Sequence, residues 1–409
     1  SDVYKRQGVL KVNKDWEIKK LCELGNIFSG NSINEKEKKS YMDLSKKGLF
    51  YVATKDISTD SEIEYENGIL IPDECLSKFK IAHKDSVLIC AEGGSAGKKL
   101  AYNSEYDICF VNKLFAFESK NSIFPKFVFY YYQSSDFSKH FKNRLAGLIG
   151  GVSLQKFKEI QCPVPPLEEQ KRIVKILDEK FTQLEKIKTN AQTNLQNAKD
   201  LFQSQLTKAF SNNDWEKAKL EDIALDFSRG KSKHRPRNDK CLFGGDYPFI
   251  QTGDIRNADK YVTDYTETYN ETGLAQSKLW PKGTLCITIA ANIAETAILS
   301  FPCCFPDSVI GFIPNEKLTT VDFVYYLIQF FKSELQKMSK GAAQDNLNLA
   351  KFENMNFPLP PLPEQKRIVE QLDSLSEKTK ALQNIYEQML LDCEELKQSF
   401  LCKAFAGEL

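Results

Sequence analysis

Sixteen residues in the middle of this chain return near its end, and that recurrence limits the possible folds more than any other feature. Pro163-Val-Pro-Pro-Leu-Glu-Glu-Gln-Lys-Arg-Ile-Val-Lys-Ile-Leu-Asp178 reappears as Pro358-Leu-Pro-Pro-Leu-Pro-Glu-Gln-Lys-Arg-Ile-Val-Glu-Gln-Leu-Asp373, with 12 of 16 positions identical at an offset of 195. The same offset carries Leu154 and Phe157 onto Leu349 and Phe352. It also carries Leu201, Gln203, Ser204, Leu206, Lys208, Ala209 and Phe210 onto Leu396, Gln398, Ser399, Leu401, Lys403, Ala404 and Phe405. Upstream the likeness loosens: Asp15-Trp16-Glu17 pairs with Asp214-Trp215-Glu216 at 199, and Thr54-Lys55-Asp56-Ile57 with Thr252-Gly253-Asp254-Ile255 at 198. A period this long exceeds the roughly 20 to 50 residues of a solenoid repeat, so the chain is a duplicated domain. Each copy has a front of loosely similar sequence and a back of closely similar sequence.

The backs read as helices. After Pro165-Pro166 and Pro363 the composition turns to Glu, Gln, Lys, Ala and Leu, with Pro and acids at the start as a helix N-terminus prefers. The first helix is predicted from about Glu168 to Phe210. Its seam is Leu177, Leu184, Ala191 and Ala198 with Phe181, Lys188, Leu195 and Phe202. The second offers Leu375, Leu382, Met389 and Leu396 with Thr379, Tyr386, Cys393 and Phe400. Two core helices in separate domains would also bury such rows, but the regularity of the seams favours antiparallel pairing within the chain. At about 1.5 Å per residue such a helix is a rod of roughly 60 Å, nearly two turns of B-DNA at about 34 Å each. The expected architecture is therefore α/β (α+β): two mixed domains joined by a coiled-coil spacer with pseudo-twofold repetition. The boundaries are 8–162, 163–212, 213–357 and 358–409.

Composition removes several classes of protein. Hydrophobic residues make up 42% of the 409, enough to bury a core, and no run of eighteen apolar residues occurs. The eleven cysteines are odd in number and show no CxxC spacing, which fits reduced thiols in a cytoplasmic protein. His83, His140 and His234 are widely separated, so no metal motif is drawn from them. Lys plus Arg is 56 against 55 for Asp plus Glu, so any attraction to nucleic acid must be local. At the start, Asp2-Val-Tyr-Lys-Arg-Gln7 looks like a translated transposon end from library preparation, with natural sequence expected from about Gly8.

The fronts mix β-rich runs (Ser86 to Cys90, Tyr247 to Gln251, Leu285 to Ile289) with one aromatic helix each, Phe124 to Gln133 and Val321 to Gln329. Aromatic residues at helical spacing are more often core than base-stacking platforms, so both helices are read as structural. Glu92-Gly-Gly-Ser-Ala-Gly-Lys-Lys99 approaches a phosphate-binding loop but encloses three residues between Gly93 and Gly97 where a P-loop has four. A glycine turn that brings backbone, Lys98 and Lys99 to a DNA phosphate fits better; a plain turn is the alternative. Ser228 to Lys240 carries six Lys or Arg against one acid, the strongest local basic signal. The first front has only a diluted version in Asn31 to Lys47, with Lys139, Lys142 and Arg144. No methyltransferase motif or nuclease carboxylate–lysine set is present.

Taken together, the doubled Pro-Pro-Leu-x-Glu-Gln-Lys-Arg-Ile-Val element, the Asp-Trp-Glu openings, Tyr247-Pro-Phe-Ile-Gln-Thr-Gly-Asp-Ile255 and the terminal Lys403-Ala-Phe-Ala-Gly-Glu-Leu409 resemble the specificity subunit of a type I restriction-modification system. The likeness runs from about residue 14 to the end. It implies two target-recognition domains that read the halves of a bipartite DNA site, and a helical spacer that docks two methyltransferase (M) subunits, with restriction (R) subunits in the full complex. It further implies that S-adenosylmethionine, ATP and Mg2+ belong to those partners and that this chain is not itself an enzyme. The first front departs from the second by showing Leu49-Phe-Tyr-Val-Ala-Thr-Lys-Asp56 in place of the Tyr-Pro-Phe-Ile form.

Candidate DNA-contacting residues are Thr54, Lys55, Asp56, Lys98 and Lys99 in the first front, and Arg229, Lys231, Lys233, Arg235, Arg237, Thr252, Asp254 and Arg256 in the second. A coiled-coil adaptor that binds only proteins, or a DNA-modifying enzyme, are the competing readings. Replacing Arg235 and Arg237 together by Ala is expected to weaken DNA binding and flatten its salt dependence in an equilibrium titration; an unchanged slope would reject the basic-loop assignment.

Overall fold

The computed structural model describes residues 16–43, 45, 47–146, 150–212, 214–290, 293–339, 352 and 354–409. Residues 1–8, Asp15, Lys46, 147–149, Ala291, Asn292 and 341–349 lie outside that set, among them Asp15, Lys46 and Leu349 of the sequence reading. Two compact units emerge: residues 1–192 with 388–409, and residues 193–387.

In the first unit the chain opens with β1 (Glu17–Lys20) and β2 (Gly25–Ser29), then β3 (Gly48–Val52), β4 (Leu70–Pro72), β5 (Ile81–Ala82), β6 (Ser86–Cys90), β7 (Leu100–Asn103), β8 (Ile108–Phe110), β9 (Leu114–Ser119) and β10 (Gln161–Val164). Strands β2-β9-β6-β7 form one antiparallel sheet and β4-β3-β8-β5 a mixed one. The run Ser-Val-Leu-Ile-Cys of β6 is buried throughout because its sheet is covered on both faces. Val87 and Ile89 face the aromatic helix Pro125–Gln133, while Leu88 and Cys90 face Val52, Ile108 and Phe110 of the second sheet. All six residues from Phe127 to Tyr132 are buried, as the structural reading of that helix expects.

The second unit repeats the plan. It holds β11 (Lys217–Ala218), β12 (Ala224–Arg229), β13 (Phe243–Phe249), β14 (Tyr261–Val262), β15 (Glu267–Tyr269), β16 (Leu285–Thr288), β17 (Thr296–Leu299), β18 (Val309–Pro314) and β19 (Phe357–Pro358). Its main sheet runs β12-β18-β16-β17-β14, and β13 pairs with β15. Leu285 and Ile287 again point to the aromatic helix Val321–Ser339, and Cys286 to a cluster around Trp280 and Phe305. In both units the opening strand pairs antiparallel with the strand just before the long helix, β1 with β10 and β11 with β19. Trp16 and Trp215 of the repeated Asp-Trp-Glu pack into the adjoining cores.

The long helices span Leu167–Phe210 and Leu362–Ala406. The repeated motif at their starts is a lock. Gln170 is fully buried; its amide donates to the carbonyls of Ser122 and Pro165 and accepts from the Phe124 N–H. Gln365, equally buried, donates to Leu318 and Pro360 and accepts from the Thr319 hydroxyl and the Thr320 N–H. Two turns on, Asp178 and Asp373 accept from the hydroxyls of Tyr130 and Tyr326 on the two aromatic helices. The repeated Lys-Ala-Phe at the helix ends is a plug. In the first unit Phe405 packs on Phe127 and Tyr131, with ring centroids 5.2 and 5.3 Å apart. In the second Phe210 packs on Phe323 and Phe330 at 5.5 and 5.4 Å. Each unit thus pairs the start of one long helix with the end of the other, which is antiparallel pairing: Ile173 and Leu177 share a core with Leu401 and Phe405, and Leu206 and Phe210 share one with Ile368 and Leu372.

The first seam follows its prediction. Leu177, Leu184, Ala191 and Ala198 are buried, and Phe181, Lys188, Leu195 and Phe202 are half-buried. The second is corrected. Its inward row is Thr379, Tyr386, Cys393 and Phe400, flanked by half-buried Leu375 and Met389, whereas Leu382 and Leu396 stand exposed at 39% and 47%. The Thr379 hydroxyl donates to the Leu375 carbonyl of its own helix, so this polar residue is buried at low cost and the leucine row, about 40° round the helix, turns outward. None of the eleven cysteines is disulfide-bonded, and among the described residues no helix is long and apolar enough to cross a membrane.

The Gln365→Leu variant fills the same space yet strips two carbonyls, a hydroxyl and an N–H of their partner; at about 1–3 kcal/mol for each buried group so exposed, a loss of at least ~2 kcal/mol in chemical denaturation is expected. A change below about 0.5 kcal/mol would show that the lock carries no weight.

Candidate nucleic-acid interface

The basic stretch of the second unit starts at a tight place. A Cβ on Gly230 would meet the Phe305 carbonyl oxygen at 2.3 Å, so only glycine lets the chain leave β12 here. Beyond it the loop is braced from inside. The Gln276 side-chain oxygen accepts from the N–H groups of Lys233 and His234 at 2.7 and 3.1 Å. Arg235 donates to the carbonyls of Ser232 and His234 at 2.6 and 2.8 Å, and Arg237 donates to Asp307 at 2.8 Å. The Asp239 carboxyl is held down at about 2 by the Cys241 N–H and then by His234, whose Nε2 lies 3.0 Å away.

This bracing divides the cations. Arg235 and Arg237 support the loop and are partly neutralised by Asp307, so replacing both removes props as well as charge. Arg229, Lys231, Lys233 and Lys240 are exposed and have no ion-pair partner among the described residues. Beside them lies a cleft of about 540 Å³ lined by Arg237, Asn238, Lys240, Phe243, Gln251, Thr252 and Glu267, among others. Asn238, Lys240 and Gln251 are absent from the sequence-derived set. The amides next to the charge run were the available signal, since Asn and Gln are the side chains that pair with adenine edges.

Of the remaining predicted residues, the two acids are turned into the fold. Asp254 accepts from the Gln251 N–H at 2.7 Å and so closes the start of the helix Thr252–Asn257. Asp56, 4% exposed, accepts from the Ala53 N–H and from Asn67 in the equivalent turn. The repeated Thr-x-Asp-Ile tetrad is therefore a capped turn with a buried Ile57 or Ile255 beneath it. Lys99 donates to the Thr54 carbonyl at 3.0 Å, which joins the glycine turn to the Thr54 turn and uses that ammonium internally. Lys55, Lys98 and Arg256 are exposed; Lys55 is 3.6 Å from Asp56. Gly93 and Gly97 both have positive φ, 79° and 70°, so this turn requires glycine whatever it binds.

Two other hollows, where each aromatic helix meets the start of its long helix, are occupied by matched charges. Lys126 pairs with Asp178 at 2.8 Å in the first unit. In the second, position 322 is Asp where the first has Lys126, and Lys260 comes from another segment to sit 2.8 Å from Asp322 and 2.6 Å from Asp373.

Comparison with known proteins agrees with this anatomy. The type I restriction modification DNA specificity domain matches twice, over residues 13–195 and 212–390. The type I restriction enzyme MjaVIII specificity subunit of Methanocaldococcus jannaschii is 25% identical over 91% of this chain and 88% of its own. The EcoBI specificity subunit of Escherichia coli is 22% identical over 98% and 88%. Among solved structures, the HsdS subunit from Thermoanaerobacter tengcongensis superposes with a TM-score of 0.61 at 20% identity, covering 98% of this chain and all of that one. A chain from work on complex assembly and conformational transition of the type I R-M system reaches 0.79, also at 20% identity and with the same coverage. With both halves matched and the doubled helix motif accounted for, the chain belongs to the type I restriction-modification DNA specificity family.

Proposed function

We propose that this chain reads a bipartite site on double-stranded DNA, with each front domain contacting one half, and that it performs no catalysis of its own. In this reading the methyltransferase subunits bring S-adenosylmethionine, and the restriction subunits ATP and Mg2+, to a complex this chain scaffolds. The observation that carries it is the braced loop 229–240, four of whose exposed cations have no ion-pair partner among the described residues and stand beside a cleft lined by Asn238, Gln251 and Thr252. A loop already held in place loses little conformational freedom when it meets a phosphate backbone. Cations without partners need not break an ion pair to do so.

Within this reading the roles separate. Arg229, Lys231 and Lys233 set register through phosphates, whereas Asn238 and Thr252, together with Gln251 once its amide leaves Glu267, discriminate base edges from the cleft they line. In the first front Lys98 and Lys55 supply the phosphate contacts. The two fronts present different polar groups, so their half-sites differ in sequence.

Two measurements test the assignment, each on the chain reconstituted with its methyltransferase subunits and titrated with duplex DNA by fluorescence anisotropy. Lys231→Ala with Lys233→Ala should weaken binding on every sequence and reduce the slope of log K against log salt by about 1.8, at roughly 0.9 per phosphate contact. Asn238→Ala should leave that slope intact and relax selectivity by about 1–3 kcal/mol at one or two base pairs of a single half-site. A protein-only adaptor would show neither effect.

A further inference from the structure

The braced loop also gathers three donor atoms that DNA contact leaves unused. The chain doubles back between His234 and Cys241, so that an imidazole nitrogen, a carboxylate oxygen of Asp239 and the Cys241 sulfur all lie within 4.8 Å of one another. Their backbones are fixed independently of any ligand. Gln276 holds the His234 N–H at 3.1 Å, Asn270 donates to the Cys241 carbonyl at 2.9 Å, and Asp239 itself accepts from the Cys241 N–H at 3.1 Å. His234 and Asp239 are already oriented towards each other, with 3.0 Å between Nε2 and Oδ2.

We propose that His234, Asp239 and Cys241 form a zinc-binding site that fastens the two ends of the loop segment 234–241. One nitrogen, one oxygen and one sulfur suit a borderline cation, whereas Mg2+ and Ca2+ take all-oxygen sets and would not recruit the thiol. With zinc–ligand distances of about 2.0–2.3 Å, donors in a tetrahedral set lie roughly 3.3–3.7 Å apart; the His234–Asp239 pair at 3.0 Å is already that close, and the Cys241 sulfur, within 4.8 Å of both, is the donor that has to move in. Cys241 is exposed and can rotate inward. Binding replaces the thiol proton, which leaves to solvent, and requires neutral imidazole; the carboxylate and thiolate then balance the two positive charges of the metal. That balance lets a cation settle within a basic loop, where Asp307 already offsets Arg235 and Arg237. A fourth position stays open to solvent. The site stands on this geometry alone and does not depend on how the loop meets DNA.

The test uses the full chain, stripped with a chelator and titrated with Co2+ as a spectroscopic stand-in for Zn2+. One equivalent should produce a thiolate-to-cobalt charge-transfer absorption, and Zn2+ should remove it at one per chain while Mg2+ in large excess should not. Cys241→Ser should abolish the band; His234→Ala and Asp239→Asn should each weaken Zn2+ binding by about tenfold or more. Circular dichroism of the three variants confirms that the fold is kept. Absence of the band in the unaltered chain overturns the proposal. So does its persistence in Cys241→Ser, which would trace it to another of the cysteines.

Discussion

A buried side-chain amide at the head of each long helix is the contact on which the rest depends. Gln170 and Gln365 are fully enclosed, and each pins the helix to backbone groups on both sides of it: the Pro-Pro entry behind and the loop that leads into the aromatic helix in front. An apolar residue of the same size would fill the space but leave those carbonyls bare, and a charged one could not be enclosed there without a partner. The direction in which a rod leaves its domain is therefore set by hydrogen bonds rather than by packing alone. The terminal Phe405 and Phe210 then place the far end of each rod against the counterpart of the same aromatic helix.

This explains why the backs of the duplicated halves stay alike while the fronts drift. Positions that serve the lock and the plug must satisfy fixed backbone geometry and a fixed aromatic socket. The fronts need only maintain sheets covered on both faces, which many apolar sequences can do. Charge is exchanged freely so long as it is matched. Lys126 neutralises Asp178 from the aromatic helix in one unit, whereas in the other the helix offers Asp322 and a lysine from a different segment, Lys260, bridges both acids.

What could be read from the sequence followed the same division. The helices, their antiparallel sense and the first seam were legible because a seven-residue row survives without knowledge of the partner. Leu382 and Leu396 misled because the leucine row is more hydrophobic than the row of Thr379 and Tyr386, yet a threonine can satisfy its hydroxyl on its own helix and be buried. In the fronts, charge was visible and its employment was not. Arg235 bracing two carbonyls, Lys99 tied to Thr54 and Asp254 capping a turn are long-range or turn-geometry facts that composition does not encode. The triad of His234, Asp239 and Cys241 was hidden for the same reason, since its spacing matches no metal motif.

The antiparallel ribbons β1 with β10 and β11 with β19 bring the entrance and exit of each front side by side before the rod begins. Such a closed neck insulates the rod from whatever happens above it. The repeat offset shows the outcome: it wanders to 198 and 199 within the fronts and returns to 195 at the helices. Loops can lengthen, shorten or change their chemistry without moving the register of the helices, so a front can remodel its surface while the back that carries it stays as it is.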